Sequence, residues 1–304
     1  RKIMTREPKA KEGRVLKEQY CTAIPIETAI AQSWNTDFAE LCGDIVASEM
    51  DIFDIDLWLA PALNIHRNIL CGRNYEYFSE DPVLAGEMAG SYIQGLQDHD
   101  VAATLKHYIC NNQEFERMTT NSVVSERALR EIYLRAFEIA INKGKPLSVM
   151  SSYNQVNGEW VNSNSHICDL LRKDLGYEGV VVSDFAAIHH NKIAAHNNGM
   201  MDIELAPTDV HSEELLQAVK EGRVKEETLN QGLERVFDLV DRLYETTPAE
   251  ADMDHLHEEA RKAAEQCIVL LKNNGILPLQ EEQENLLVVG ELAMDPSYMG
   301  GGSG

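Results

Sequence analysis

Apolar residues recur along this chain with two alternating periods. Between Asn35 and Met50, the residues Phe38, Leu41, Cys42, Ile45 and Val46 fall at i, i+3, i+4, i+7 and i+8. That spacing predicts one buried helix face. A second helix is predicted over 83–97, with Ala89, Tyr92, Ile93 and Leu96 on one side. A third starts after Ser125, a favourable N-cap, and carries Leu129, Ile132, Tyr133, Ala136, Phe137 and Ala140 inward until Gly144 and Pro146 end it. Between the helices lie short apolar runs of strand length: Leu57–Ile65, Val101–Tyr108, Leu147–Tyr153, Val180–Phe185 and Met200–Leu205. Strands alternating with helices predict a parallel sheet with crossover helices, hence an α/β fold. No glycine-rich phosphate loop follows any strand, which argues against a dinucleotide fold. An incomplete (β/α) TIM-like barrel fits the pattern better.

Two more helices are predicted near 212–221 and 226–244, followed by a linker over 246–253. A helix over 254–273 buries Ala260, Ala263, Ala264, Cys267, Ile268 and Leu271. Leu286–Gly290 then reads as the first strand of a second α/β unit, which 304 residues are too few to close. The expected organisation is an N-terminal segment 1–20, a barrel domain 21–245, the linker, and the start of a second domain over 254–304. The tail Met299-Gly-Gly-Gly-Ser-Gly fits either an engineered linker or a native glycine-rich loop.

Acidic residues outnumber basic ones 50 to 27, a net charge of -23. Such a balance argues against nucleic acid or an anionic membrane as partner and suits a neutral substrate. No apolar run approaches the ~18 residues a membrane span needs. No signal peptide is visible, and a start at Arg1 fits an internal piece of a longer protein. Six scattered cysteines without a C-x-x-C pair suggest free thiols and a cytoplasmic location. The ten histidines form no H-E-x-x-H or H-x-x-x-H pair, and G-x-S-x-G is absent. A metal site and a serine-hydrolase elbow are therefore not expected.

Polar residues gather at the C-terminal ends of the predicted strands, the catalytic face of a barrel. They are His66, Arg67 and Arg73 after one strand, then Lys106 with His107, Tyr153 with Asn154, Ser183 with Asp184, and Glu204. Asp184 follows Gly179-Val-Val-Val-Ser, so its carboxylate stands at the mouth of an apolar strand, where a nucleophile can be held rigid and partly desolvated. Capping of the next helix is the competing reading of that Asp. Lys106, His107, Arg73 and Arg117 are expected to act as hydrogen-bond donors, suited to sugar hydroxyls or to an anion. For the arginines, the competing reading is a structural ion-pair network with Glu76, Glu80 and Glu114.

Several of these runs resemble glycoside hydrolase family 3. The similarity lies in Leu59-Ala-Pro-Ala-Leu-Asn-Ile-His-Arg-Asn-Ile-Leu-Cys-Gly-Arg-Asn-Tyr-Glu-Tyr-Phe-Ser-Glu-Asp-Pro, in Lys106-His107-Tyr with Arg117, in Met150-Ser-Ser-Tyr-Asn and in Val181-Val-Ser-Asp. Leu270-Leu-Lys-Asn-Asn-Gly-Ile-Leu-Pro-Leu resembles the entry into the family's second domain, an α/β sandwich, and Tyr298-Met-Gly-Gly-Gly-Ser the loop after it, which favours the native reading of the tail. The resemblance implies a retaining β-glucosidase without metal or organic cofactor, acting on a terminal β-linked glucoside or oligosaccharide. It implies Asp184 as nucleophile, and Arg73, Lys106, His107, Arg117 and Tyr153 around the sugar, with Tyr153 also supporting Asp184. Three features depart from the family: Phe185 replaces its usual Trp, its N-terminal sugar-binding Asp motif is absent, and its acid/base Glu lies in the second domain. Glu80 and Glu204 match that acid in neither position nor motif. The partners implied are the remaining segments of the same enzyme, and a homo-oligomer is compatible with them. An exo-β-xylosidase, a mixed-specificity hydrolase and a non-catalytic carbohydrate-binding relative are the alternatives. The N-acetylglucosaminidase branch fits poorly, because Lys106-His-Tyr-Ile-Cys-Asn-Asn stands where that branch has its own loop.

Overall fold

A computed structural model describes residues 21–188, 192–206, 209–244, 251–280 and 285–296. Helix α1 (Glu27–Gln32) leads into α2 (Thr36–Phe53), which Asn35 caps by accepting from the Asp37 N–H at 3.0 Å. Strand β1 (Leu57–Trp58) is followed by α3 (Pro82–Gln97), started by Pro82 and by the Asp81 carboxylate, which accepts from two backbone N–H groups. Next come β2 (Ala102–Tyr108), β3 (Asn121–Ser122) and α4 (Glu126–Ala128). That helix continues through a π-helical segment, Leu129–Leu134, into α5 (Arg135–Gly144). Ser125 caps it, accepting from Ala128 N–H at 3.3 Å. Then follow β4 (Ser148–Ser151), β5 (Gln155–Val156), β6 (Glu159–Trp160), α6 (Ser165–Asp169) and β7 (Val180–Ser183). The remaining helices are α7 (Lys192–Asn198), α8 (Asp209–Lys220), α9 (Glu226–Tyr244), α10 (Met253–Gln266) and α11 (Glu291–Met294).

Strands β1, β2, β4 and β7 form one sheet in that order, all parallel. A single bridge from Val182 to Ile203 extends it by one position. Among the described residues the sheet stays open, as expected for an incomplete barrel. Its two faces are covered differently. Leu105, Val149 and Val181 join the main core with α2, α3 and α5, where Ile93, Leu96 and Phe137 are fully buried. Ala102, Met150, Val180 and Val182 point the other way and pack against Val236, Leu239 and Leu243 of α9. Side chains alternate between faces along a strand, so Lys106 and Asp184 continue this second set.

Several predicted boundaries shift for local reasons. The run Leu57–Ile65 keeps only two ladder residues before Pro61, preceded by a cis peptide bond, removes a donor; pairing returns as a lone bridge from Ala62 to Lys106. The run Met200–Leu205 is reduced to the Ile203 bridge. The helix predicted to reach 273 ends at Gln266, and Leu286–Gly290 joins no sheet among the described residues. A strand is held by its neighbour's hydrogen bonds, and this run has no ladder partner among the described residues. The linker core 245–250 and the glycine tail lie outside the described residues.

Candidate active site

The strand ends of β2, β4 and β7 bring the predicted residues together. Asp184 follows β7 immediately and is 8% exposed. Its Oδ1 accepts from the Phe185 backbone N–H at 2.7 Å. Its Oδ2 is buried and has no hydrogen-bond partner among the described residues. Burial raises the Asp184 pKa above the ordinary carboxylate range, against the lowering effects of the Phe185 N–H, Tyr153, Arg73 and Lys106. The group is therefore a desolvated carboxylate kept ionisable by donors and cations, with one oxygen reserved.

Lys106 is almost fully buried, with Nζ 3.5 Å from Glu76 Oε2. Burial lowers its pKa, with Glu76 and Asp184 acting the other way. Arg73 forms an ion pair with the other oxygen of the same Glu76. Arg117 pairs with Glu114 at 2.8 Å and lays its guanidinium over the Tyr153 ring, 4.4 Å from the centroid. The Tyr153 hydroxyl donates to the Phe185 carbonyl at 2.8 Å and so braces the residue after Asp184. Its pKa is pushed up to about 12 by burial and by Asp184. The expected ion pairs thus form with Glu76 and Glu114, and Arg73 and Lys106 also act electrostatically on the Asp184 carboxylate.

His107 is 1% exposed, with Nε2 3.6 Å from Asp184 Oδ2. Burial lowers its pKa well below the ordinary value, reinforced by Arg73, Lys106 and Arg117, so the ring is neutral. Asn64, fully enclosed beside it, was not singled out from the sequence. Its amide brackets the His107 backbone: Nδ2 donates to the His107 carbonyl at 2.9 Å and Oδ1 accepts from the His107 N–H at 3.0 Å. The only trace of this in the sequence is a polar residue inside the apolar run Leu59–Ile65. Glu76, expected from the sequence as an ion-pair partner, is shared by Arg73 and Lys106, and three residues of local helix place it there.

The two spare carboxylates do not complete a catalytic pair. Glu204 is ion-paired with Lys192 at 3.2 Å, and Glu80 is solvent-exposed. Among the described residues no group of three His, Cys, Asp or Glu could hold a metal, and no described helix is long and apolar enough to cross a membrane. Phe185, which stands where the family usually has Trp, is 67% exposed beside the site.

A parallel sheet with a buried carboxylate and cations at its strand ends has the layout of the catalytic face of a (β/α) barrel. The Glycosyl hydrolase family 3 N terminal domain matches residues 6–239, and the chain belongs to that family. Thermostable beta-glucosidase B of Acetivibrio thermocellus is 38% identical over 93% of this chain and 38% of its own length. Beta-glucosidase B of Emericella nidulans is 40% identical over 97% of this chain and 36% of its own. Among solved structures, beta-glucosidase 3B from Thermotoga neapolitana in complex with alpha-D-glucose superposes with a TM-score of 0.82 at 38% identity, covering 90% of this chain and 39% of that one. The GH3 beta-glucosidase of Bifidobacterium adolescentis gives 0.81 at 36% identity over 85% and 39%. This chain therefore spans less than two fifths of the length of these curated relatives.

Proposed function

We propose that this segment is the nucleophile-bearing part of a retaining β-glucosidase, which removes a terminal non-reducing β-D-glucosyl residue. The observation that carries the reading is Asp184: a buried carboxylate with one oxygen anchored by the Phe185 N–H and the other unsatisfied. Attack by that carboxylate on the anomeric carbon forms a glycosyl ester as the aglycone oxygen departs; water then cleaves the ester with net retention. Arg73 and Lys106 favour the anion of Asp184 against burial, and with Arg117 they offer N–H groups to the sugar hydroxyls. No residue here is assigned as the acid.

Retaining hydrolysis uses a second carboxyl ~5–5.5 Å from the first. We assign it to the second α/β domain. The exposed apolar residues Ile268, Leu270, Leu271, Leu286 and Val289 support such a domain as partner of this segment. The free cysteines support a cytoplasmic setting. The β-glucosidase names of the relatives support glucose as the sugar.

The test is a covalent trap. Full-length protein is incubated with an activated 2-deoxy-2-fluoro-β-glucoside, and the label is mapped by peptide mass spectrometry. Label on Asp184 is expected, since slow hydrolysis of the ester lets it accumulate. Turnover of the activated glucoside with label elsewhere, or with wild-type rates in Asp184→Ala, overturns the assignment.

A further inference from the structure

His107 does not face the site as the donor that its sequence context suggests. A backbone N–H can only donate and a carbonyl can only accept, so the two bonds between Asn64 and the His107 backbone fix which end of the Asn64 amide is oxygen. That oxygen also lies 3.3 Å from His107 Nδ1. Two acceptors do not bond each other, so this contact places a ring proton on Nδ1; burial beside Arg73, Lys106 and Arg117 disfavours a second proton, which leaves the lone pair on Nε2. The bare Nε2 points towards Asp184 Oδ2 at 3.6 Å, and Oδ2 is itself unpartnered. Two buried acceptors thus stand against each other with no hydrogen between them. Lys106, next in the chain, holds its ammonium 3.5 Å from Glu76 and acts electrostatically on Asp184.

We propose that Asn64 is a positioning residue that locks His107 in the Nδ1–H tautomer, so that His107 Nε2 accepts a hydrogen from a substrate hydroxyl. This rests on the glycosidase reading for the identity of the substrate, but not for the tautomer itself. The consequence is a selective reading of hydroxyls. Lys106 gives a hydrogen to a hydroxyl oxygen, whereas Nε2 takes a hydroxyl hydrogen. A group that accepts without donating, such as a fluorine or a methyl ether, satisfies the first contact and fails the second.

The tautomer is read directly by long-range proton–nitrogen NMR on histidine-labelled protein, with the His107 signal assigned by its loss in His107→Gln. Wild type is expected to show a proton on Nδ1 and a lone pair on Nε2, in the absence of substrate. Asn64→Leu removes the acceptor and is expected to move the proton to Nε2, towards Asp184. Asn64→Asp keeps an acceptor at Nδ1 and is expected to keep Nδ1 protonated. A wild-type proton on Nε2 overturns the proposal without any variant having to fold; so does a folded Asn64→Leu whose tautomer is unchanged. In the full-length enzyme, kcat/KM of Asn64→Leu is expected to fall by roughly tenfold to a hundredfold, the worth of one hydrogen bond in a buried site. The fall should be smaller for the monofluoro or methylated glucoside that lacks the donated hydrogen. An equal fall for every analogue marks a purely structural role and overturns the hydroxyl-reading claim. A correct tautomer in a protein that turns over no glycoside overturns the function alone.

Discussion

At Asp184 two opposed effects set the useful state of one residue. Burial favours the protonated acid, while Arg73 and Lys106 favour the anion. Removing a cation leaves burial less opposed. Lys106→Met should therefore move the acid limb of the kcat/KM profile to higher pH in the full-length enzyme; a limb unmoved or shifted down would show that Lys106 does not act on Asp184. Glu27 presents the same physics without an obvious chemical task. Partly buried near Glu76 and Lys106, it has its pKa pushed up to about 8, chiefly by burial. The unfolded chain releases this proton near 4.5, the ordinary value. Between these pH values the native state holds a proton that the unfolded state has lost, so stability declines as pH rises through the window. Glu27→Gln should be indistinguishable from wild type at pH 4 and more stable by at least ~1 kcal/mol at pH 8. Denaturant titration at both pH values checks the widening gap.

The helices carry their own constraints. Helices α2 and α3 cross so closely that a Cβ on Gly43 would collide with the Tyr92 carbonyl oxygen, and one on Gly95 with the Glu40 carbonyl oxygen. Helix propensity alone favours alanine over glycine by about 1 kcal/mol. Collision with backbone, which cannot rotate away, costs about 1–3 kcal/mol or more, so Gly95→Ala should lower stability. A melting temperature equal to or above wild type would mean that the helices separate freely. The same pair is tied at its edge by His99, which contacts Asp44 at 2.7 Å and Asp51 at 3.4 Å. Burial pulls the His99 pKa down, but the hydrogen bonds to Asp44 and Asp51 outweigh it and hold the pKa above the ordinary value. A raised folded pKa stabilises below the unfolded value near 6.5, and the contribution is lost as pH rises through the folded one. The stability difference between wild type and His99→Gln should therefore shrink on going from pH 6 to pH 9.

At the scale of the molecule, exposed apolar residues are most frequent in the C-terminal stretch of the described chain. The main core spans α2, α3, α5 and one face of the sheet, whereas Ile268–Leu271, Leu277, Leu279 and Leu286–Val289 are exposed in a row. A patch of this kind marks a surface meant to be covered. The segment by itself should bind a dye such as ANS and self-associate, and the full-length protein should do neither to the same degree. Equal dye binding by both would remove the argument for a covering domain. Exposed Leu233, Phe237, Val240 and Tyr244 on α9 add a second stripe on the barrel side.

The sequence by itself determined the helices α2, α3 and α4–α5, the strands β2, β4 and β7, and the grouping of Lys106, His107, Tyr153 and Asp184 at the strand ends. Those follow from periodicity and from the rule that parallel strands end at one face, which are local or nearly local properties. Only the tertiary structure decided how those side chains meet. That Oδ2 of Asp184 is unpartnered, that Glu76 serves two cations, and that Asn64 turns His107 from donor to acceptor all depend on residues brought side by side by strand pairing. Asn64 and His107 are 43 positions apart in the chain. Their contact exists because Leu63 N–H bonds to the Lys106 carbonyl at 2.8 Å and sets the register of the two runs. Register is a property of the pair of strands, and neither run specifies it alone. The Leu286–Gly290 run, apolar enough for a strand yet unpaired here, makes the same point: composition grants the propensity, and a neighbouring edge must supply the hydrogen bonds.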